Sequence, residues 1–299
     1  MVRAALASGI VFFVSACGGG SSGGGVISTP PPAPPPPSYT KIVDMTGDRT
    51  FQSGGVQYNT SSAGIANGTT QNFGAGVTIA YTAASDSYRL TSPDAATFTF
   101  TPAMAQPPAP ATPNSQVWVG VSGTQRDQLV LTVPASNGVA LSYTILGSWG
   151  RIDTTTNNGT FRLAVGGSPT LSADMPRTGS ANYTAGTGGT IVQSGAGYNL
   201  QGNSTMTFSA NFAANSVSTT LTLAGTQFTG GPITSFGTFN GTGTISSSGS
   251  GFTGTLTSTG ATGLFSGGFF GPQALEMAMA WYLNGPTMSG AGLAAGIKQ

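Results

Sequence analysis

Short segments in which apolar and small polar residues alternate recur about every ten residues through the last third of the chain. In the clearest of them, Met206, Phe208 and Ala210 alternate with threonine and serine. A period of two places the apolar side chains on one face of a β-strand and the polar side chains on the other. Evenly spaced antiparallel strands of this kind predict a sandwich or an up-and-down barrel.

The composition supports an all-β fold and excludes several kinds of function. Only 6% of the 299 residues are charged and 47 are glycine, so strands with many turns are expected rather than helices. The chain has no histidine, which excludes imidazole metal ligation and histidine-dependent triads. The formal net charge is +1 without a basic patch. We therefore expect no nucleic-acid partner, no metal, no cofactor and no enzymatic activity.

The first residues combine a positive charge, a short apolar run and the only cysteine. Arg3 precedes the apolar residues 4–14, a span too short for a transmembrane helix. Val14-Ser-Ala-Cys17 resembles the lipobox of bacterial lipoproteins, in which the cysteine is acylated and becomes the first residue of the mature chain. We expect residues 1–16 to be a lipoprotein signal peptide and Cys17 to anchor the chain in outer-membrane lipid through acyl chains such as palmitate. An ordinary secretory signal cleaved nearby is the alternative.

Residues 17–38 have the composition of a tether. Residues 18–25 are almost all glycine and serine, which gives a flexible chain. Residues 30–37 are almost all proline, and a polyproline II helix of ten residues spans about 30 Å. Gly18 stands where an aspartate would resemble an inner-membrane retention signal, so the outer membrane is favoured. The tether would lift the folded part off the bilayer.

Three groups of segments resemble the bacterial surface lipoproteins related to transferrin-binding protein B, also called transferrin-binding protein-like solute-binding proteins. The first group includes Leu-Ser-Tyr-Thr-Ile-Leu-Gly-Ser-Trp at 141–149 and Thr-Gly-Ser-Ala-Asn-Tyr-Thr at 178–184, and the second is residues 202–223. The third ends with Gly-Phe-Phe-Gly-Pro-Gln-Ala-Leu-Glu at 268–276. The last of these resembles the closing signature of the family. The resemblance covers about residues 141–281 and is weak upstream.

The resemblance implies a single lobe with two parts. A β handle would occupy residues 39–173, and an eight-stranded antiparallel up-and-down barrel would occupy residues 174–299. It also implies a lipid-anchored protein on the cell exterior, exported by a surface-lipoprotein translocon, that binds an iron-carrying protein, haem or a related nutrient, in concert with a TonB-dependent receptor. A structural or adhesive envelope lipoprotein without a solute ligand is the alternative. A transmembrane barrel is disfavoured, because the outward faces are mostly threonine, serine and asparagine.

Two segments leave their local structure open. Residues 273–283 have helix-friendly composition, so they could be a closing strand or a short helical turn. Met277 and Ala278 stand where the family usually has a glycine pair, which puts the geometry of the final strands in doubt. Upstream, the turn residues Asn137-Gly138 predict a hairpin that leads into one continuous strand over residues 139–146.

Few side chains are candidates for a binding site. Trp118 follows a proline-rich loop and is the best candidate for an exposed binding anchor, with burial in the core as the alternative. Glu276 is expected to accept backbone N–H bonds at the barrel seam rather than to serve a partner. The densest charge group is expected to form an interdomain salt-bridge set; it comprises Arg151, Asp153, Arg162, Asp174 and Arg177.

Overall fold

Antiparallel strands joined by tight turns make up almost all of the regular structure, as the alternating sequence predicts. The computed structural model describes residues 37–107, 114–136, 138–200 and 202–299. These residues belong to one compact unit, Pro37–Gln299. No helix within the described ranges is both long and apolar enough to cross a bilayer.

The first twelve strands form what we call the handle. In chain order they are β1 Arg49–Phe51, β2 Gly54–Ser61, β3 Gly64–Gln71, β4 Thr78–Thr82, β5 Ser87–Thr91, β6 Thr97–Phe100, β7 Ser115–Ser122, β8 Gln125–Thr132, β9 Ala135–Ser136, β10 Val139–Ala140, β11 Thr144–Asp153 and β12 Gly159–Gly167. Single 3-10 turns occupy Ile42–Asp44, Ala83–Ser85 and Pro102–Met104.

The handle has two main layers. A four-stranded sheet has the order β1-β4-β5-β6, and a six-stranded sheet has the order β3-β2-β12-β11-β8-β7. The short strands β9 and β10 pair with each other. An apolar cluster that includes Phe100, Trp149 and Leu129 fills the space between the two main sheets. The six-stranded sheet therefore has one face committed to the core of the handle, and its other face turns towards the rest of the chain.

The remaining strands form the barrel. They are β13 Ser180–Gln193, β14 Ala196–Asn199, β15 Thr205–Asn211, β16 Ser216–Gln227, β17 Ile233–Ile245, β18 Gly251–Thr257, β19 Thr262–Phe270, β20 Glu276–Asn284 and β21 Met288–Lys298. Except for β14 and β15, neighbours in the sequence pair antiparallel, and β21 returns to pair with β13 along its length. The closed ring has eight positions, because β14 and β15 lie end to end between β13 and β16.

The barrel interior is filled by aromatic and aliphatic side chains at alternate positions. In β15, Met206, Phe208 and Ala210 point inward and are buried, as the alternation predicts. Phe252 and Phe269 pack on Phe208 with ring centroids 5.1 and 6.2 Å away. An eight-stranded barrel encloses about the volume that its own side chains fill. The predicted all-β fold, a handle followed by an eight-stranded antiparallel barrel, is confirmed.

The ambiguous segment at residues 273–283 contains a 3-10 turn followed by a strand. Pro272–Ala274 form the turn, and β20 begins at Glu276. All residues of β20 except the last are buried. Helix propensity is a weak preference that tertiary packing overrides, and a strand covered on both faces is continuously apolar rather than alternating. The positions that lack the glycine pair of the family adopt ordinary strand geometry.

The handle packs its free sheet face against the outside of β19, β20 and β21. Val56, Tyr58 and Leu163 of the handle meet Ala280 and Tyr282 of β20 in one apolar cluster. A glycine makes this approach possible on β3. A Cβ atom added at Gly68 would lie 2.2 Å from the ring of Tyr282. Handle and barrel therefore share a core.

Glu276 fastens the handle to the start of β20. Its carboxylate is 1% exposed and accepts hydrogen bonds from the backbone N–H groups of Ser142 (2.6 Å) and Tyr143 (2.9 Å) and from the Thr144 hydroxyl (2.8 Å). A buried carboxylate requires such donors. Glu276 does accept backbone N–H bonds as expected, but from the handle and not along the barrel seam.

This contact also explains why one predicted strand is broken. The continuous strand expected over residues 139–146 is wrong, since β10 ends at Ala140 and β11 begins at Thr144. The N–H groups of Ser142 and Tyr143 turn out of the sheet to reach the carboxylate of Glu276. Asn137, the first residue of the predicted hairpin turn, lies outside the described residues.

We expect Glu276→Ala to lower the free energy of unfolding by about 3 kcal/mol, because three donors at a buried site lose their acceptor. Glu276→Gln keeps one acceptor oxygen and should cost less. Urea unfolding of the purified protein measures both changes. Asp44→Asn, at an exposed carboxylate, is the control and should change stability by less than about 0.5 kcal/mol. An unchanged unfolding midpoint for Glu276→Ala would contradict this role.

Candidate functional site

A groove of about 470 Å³ separates part of the handle from the rim of the barrel. Its walls are mainly apolar, unlike those of the depression beside the β17–β18 turn, which serine, glycine and asparagine line. The handle contributes residues from β2, β8, β11 and β12, and the barrel contributes residues from β13, β14, β21 and the turn after β16. A cleft of this size is within the range of ligand-binding pockets, roughly 300–1,000 Å³.

The handle wall is a sheet face that extends past the barrel. The barrel packs mainly under β3, β2 and β12, which leaves β8 and β7 without a covering layer on this side. Val130 and Leu146 are half-buried there, and Val117 lies opposite Val130 in register. Opposed residues of an antiparallel pair lie on the same face. The groove wall is therefore part of the same apolar sheet face that packs on the barrel, but at the groove this face is open to solvent.

Two stacked aromatic rings stand where the covered and uncovered parts of this face meet. The rings of Tyr58 and Phe161 are 5.6 Å apart with an interplanar angle of 8°. Burial raises the pKa of Tyr58, so its phenol stays neutral. The groove lining contains no carboxylate, amine, guanidinium or thiol. It is suited to binding apolar groups and offers no general acid or base near neutral pH.

Glycines contribute much of the barrel wall of the groove, including Gly188, Gly189 and Gly292. Gly292 is required by packing inside the barrel, because a Cβ atom there would lie 2.1 Å from the carbonyl oxygen of Gly188 and 2.4 Å from the ring of Trp281. Phe228, in the turn that follows β16, stands at the rim and is 65% exposed. An exposed phenylalanine beside an apolar cleft is the type of side chain that anchors a protein partner.

Trp118 does not stand at the groove or at any exposed surface. It is 7% exposed and packs in the handle core, with its ring centroid 4.9 Å from that of Tyr88. Its side chain points to the opposite face of β7 from Val117, since successive residues of a strand alternate. The alternative of core burial therefore holds, and Trp118 is not an exposed anchor. Cys17, the predicted lipid attachment residue, lies outside the described residues.

The charged residues near the handle strands form pairs inside the handle. Trp149 donates its indole N–H to Asp127 at 2.8 Å, and Arg151 also binds Asp127 at 2.9 Å. The guanidinium of Arg162 stacks 4.6 Å above the Trp149 ring and binds Asp94 at 2.5 Å. The expected interdomain salt-bridge set is thus wrong for the two arginines. Both arginines instead make their contacts on the face of the six-stranded sheet that is opposite the groove.

Asp174 does lie where the handle meets the barrel. It accepts hydrogen bonds from the Tyr39 hydroxyl at 2.8 Å and from the Gln273 backbone N–H at 3.0 Å. Burial alone would raise the pKa of Asp174, but these hydrogen bonds outweigh it and lower the pKa. Tyr39 is among the first described residues after the predicted tether. The first described residues of the folded unit thus lie at the junction between handle and barrel.

Among the described residues, no three histidine, cysteine, aspartate or glutamate side chains come close enough together to hold a metal ion.

The family comparison matches the barrel. A family model described as the C-lobe and N-lobe beta barrels of Tf-binding protein B matches residues 175–295. Residues 175–295 are thus similar to these barrels, and together with the handle they have a transferrin-binding protein B-like single-lobe fold. A search of curated proteins finds no match.

Solved structures of similar proteins come from the same group. Transferrin-binding protein B from Haemophilus parasuis Hp5, a Tyr-167-Ala and Trp-176-Ala double mutant, is 17% identical over 85% of this chain and 45% of its own, with a TM-score of 0.46. The isotype 1 protein from serogroup B Neisseria meningitidis is 16% identical over 85% and 44%, with a TM-score of 0.42. The chain thus spans about half the length of these two proteins.

A third structure is a single lobe. The N-lobe domain of lactoferrin-binding protein B from Moraxella bovis is 15% identical over 61% of this chain and 79% of its own, with a TM-score of 0.33.

The ion pair between Arg162 and Asp94 should make the free energy of unfolding depend on pH. Partial burial alone would raise the pKa of Asp94, but hydrogen bonds from Arg162 and Ser92 and the guanidinium charge lower it to about 2. A depressed pKa contributes stability that is present above the unfolded value, 3.8, and is lost as the pH falls towards 2. We expect the free energy of unfolding of Asp94→Asn to fall less than that of the wild type as the pH decreases from 3.8 to about 2.

Urea unfolding at pH 5, 4, 3 and 2 measures this effect. Asp44→Asn, at an exposed carboxylate outside the pair, is the matched control and should leave the pH profile unchanged. An Asp94→Asn profile that coincides with the wild-type profile would show that the ion pair contributes nothing.

Proposed function

We propose that the chain is a surface lipoprotein that captures a protein ligand in the groove between handle and barrel. The observation that carries this proposal is the groove itself, an uncovered apolar sheet face opposite an exposed phenylalanine. Protein partners bind most strongly where an aromatic or aliphatic anchor fills a desolvated pocket with a polar rim. Thr132, Ser148 and Asn199 supply polar groups to the lining.

The chemistry of the groove favours a protein over a small ionic solute. Its lining holds no charge to neutralise a phosphate, a carboxylate or a metal chelate. Haem as a directly ligated group has little support, because the chain contains no histidine. Similar proteins carry transferrin and lactoferrin in their names. An iron-carrying protein is therefore the ligand that we propose to test first.

Position at the cell surface is part of the same proposal. Residues 1–16 would be removed, Cys17 would hold outer-membrane lipid, and residues 18–38 would carry the lobe away from the bilayer. Two or more acyl chains anchor a protein stably. A surface-lipoprotein translocon would export the chain, and a TonB-dependent receptor would take up what it captures. The placement of Tyr39 at the handle–barrel junction supports this arrangement, since the proposed tether would then enter the lobe beside Asp174.

A structural or adhesive envelope protein remains the second candidate. The observation in its favour is the barrel exterior, where serine, threonine and asparagine replace the charged residues that most surfaces carry. Deletion of the gene separates the two candidates. Loss of nutrient uptake supports capture, whereas altered attachment or envelope integrity with normal uptake supports the structural role.

We expect the purified protein to bind transferrin or lactoferrin in surface plasmon resonance, with the iron-loaded and iron-free forms as separate probes. Phe228→Asp and Leu146→Asp should each weaken binding at least tenfold, because a charge would have to be buried without a partner. Ile233→Asp is the matched control, since Ile233 is 62% exposed and lies outside the groove lining. Equal losses for the Phe228 and Ile233 variants would reject the groove as the binding site.

We expect Cys17→Ser to abolish incorporation of an alkyne-labelled palmitate and to move the protein from the membrane fraction to the soluble fraction, because no acyl chain remains to hold it. Ser21→Ala, in the same segment, should keep both the label and the membrane location. Surface proteolysis of intact cells checks the orientation. A palmitate-labelled Cys17→Ser protein would refute the anchor.

A further inference from the structure

The uncovered sheet face of the handle continues past the groove to a cation. In register across β7, β8 and β11, Val121, Arg126 and Ile152 form one row. Alternate residues of a strand share a face, so this row lies on the same face as Val117 and Val130. Arg126 is half-buried and Val121 is 66% exposed. The row is not part of the groove lining, so it is a separate surface.

The guanidinium of Arg126 has no carboxylate partner in the described ranges. The arginines of β11 and β12 each bind an aspartate on the opposite face of the sheet. Arg126 instead donates a hydrogen bond to the side-chain carbonyl of Gln128, at 3.0 Å. A guanidinium forms its strongest hydrogen bonds with a carboxylate, which it can hold through two parallel bonds. This surface therefore has an unused site for one acidic side chain.

The strand beside Arg126, β7, is open along part of its outer edge. Gln106 donates its backbone N–H to the carbonyl of Val117 at 2.8 Å, so the backbone groups of Val117 point away from β8. Alternate residues share this direction, which places the outward groups of Val119 and Val121 on the same edge. The residues around Gln106 cover the first half of the edge. The outward N–H and C=O groups of Val121 have no partner in the part of the chain that the structure describes.

The sequence of β7 does not protect this edge. Edge strands of monomeric proteins are usually very short, or they carry a lysine or a proline that prevents pairing with another chain. β7 has eight residues without a charge or a proline, and Val121 exposes an apolar side chain at the open half. Unpaired backbone groups beside apolar side chains are a template for an added strand.

The charge of Arg126 decides which strand fits this edge. A second copy of β7 would pair antiparallel about a twofold axis and place two Arg126 side chains on one face, without a carboxylate to neutralise them. Residues 17–38 contain no aspartate or glutamate, so the predicted tether cannot neutralise Arg126 either. The occupant that fits is an extended protein segment with a carboxylate among apolar residues.

We propose that β7 docks an extended acidic segment of a protein partner by strand addition. The backbone of the segment pairs with the outward groups of Val119 and Val121. Its apolar side chains lie on these two valines, and one carboxylate binds Arg126. Because these residues lie outside the groove lining, the inference does not depend on protein capture at Phe228.

Binding of short peptides to the purified protein tests this site. The probe is acetyl-Ser-Val-Thr-Glu-Thr-Val-Ser-amide, in which the glutamate and the valines share one face of a strand. Peptides with glutamine or lysine in place of the glutamate are the comparisons. In an amide NMR titration, the β7 signals should shift saturably. The glutamate peptide should bind at least about fivefold more tightly than the glutamine peptide, and the lysine peptide should bind most weakly.

Arg126→Glu should reverse this order, so that the lysine peptide binds most tightly. A role of Arg126 in stability alone would not produce the reversal. Arg89→Glu is the matched control, because Arg89 is exposed on β5 in the other sheet of the handle and should keep the wild-type order.

Val121→Pro removes the outward N–H group without removing a bond between β7 and β8. It should abolish peptide binding and keep the wild-type melting temperature. If this variant unfolds, the charge reversal at Arg126 still decides the question.

The proposal is overturned if no peptide binds saturably, or if the wild type binds the glutamate and lysine peptides equally. It is also overturned if sedimentation shows a dimer that Val121→Pro abolishes, since a second copy would then occupy the edge. Phe228→Asp should leave peptide binding unchanged. Failure of protein capture with intact peptide binding would therefore reject the groove and retain this site.

Discussion

The burial of β20 on both faces is the constraint on which the rest of this structure depends. Met277, Met279 and Trp281 point into the barrel, while Ala278, Ala280 and Tyr282 point towards the handle. One strand thus contributes to two cores at once. Burying a large apolar side chain stabilises a protein by roughly 1.5–3 kcal/mol, so neither part of the molecule can lose its neighbour without exposing much of this strand.

The same arrangement creates the groove. The six-stranded sheet rests on β19 to β21 through β3, β2 and β12, and its other strands extend beyond the barrel to form the groove wall. Glu276 fixes this placement at one end through its bonds to Ser142 and Tyr143. The barrel strands that the handle leaves uncovered carry outward serine, threonine and asparagine side chains.

Local periodicity predicted the barrel well, because each strand from β15 to β18 has one buried face and one solvated face. Periodicity did not predict β20 as a strand, because residues more than a hundred positions earlier in the chain cover its second face. The break at residues 141–143 was unpredictable for the same reason, since it depends on the carboxylate of Glu276. Composition alone can indicate neither contact.

Local sequence patterns could not predict the groove either. Its two walls come from strands far apart in the chain, and Val130 and Gly292 carry no motif. Phe228 had a usable signal, as a phenylalanine directly before the turn residues Thr229-Gly-Gly-Pro232. The size of Trp118 and its position after a proline-rich loop suggested an exposed anchor. The side chain is buried instead, because the space between the two sheets of the handle is filled by large side chains.

Native-state hydrogen exchange tests the shared core most directly. If β20 joins handle and barrel into one cooperative unit, the amides of β2, β12 and β20 should exchange only through a common opening, with the same free energy and the same dependence on denaturant. Exchange of the β2 and β12 amides through a lower-energy opening that leaves β20 protected would contradict the account. The handle would then be a separate body resting on a barrel that does not need it.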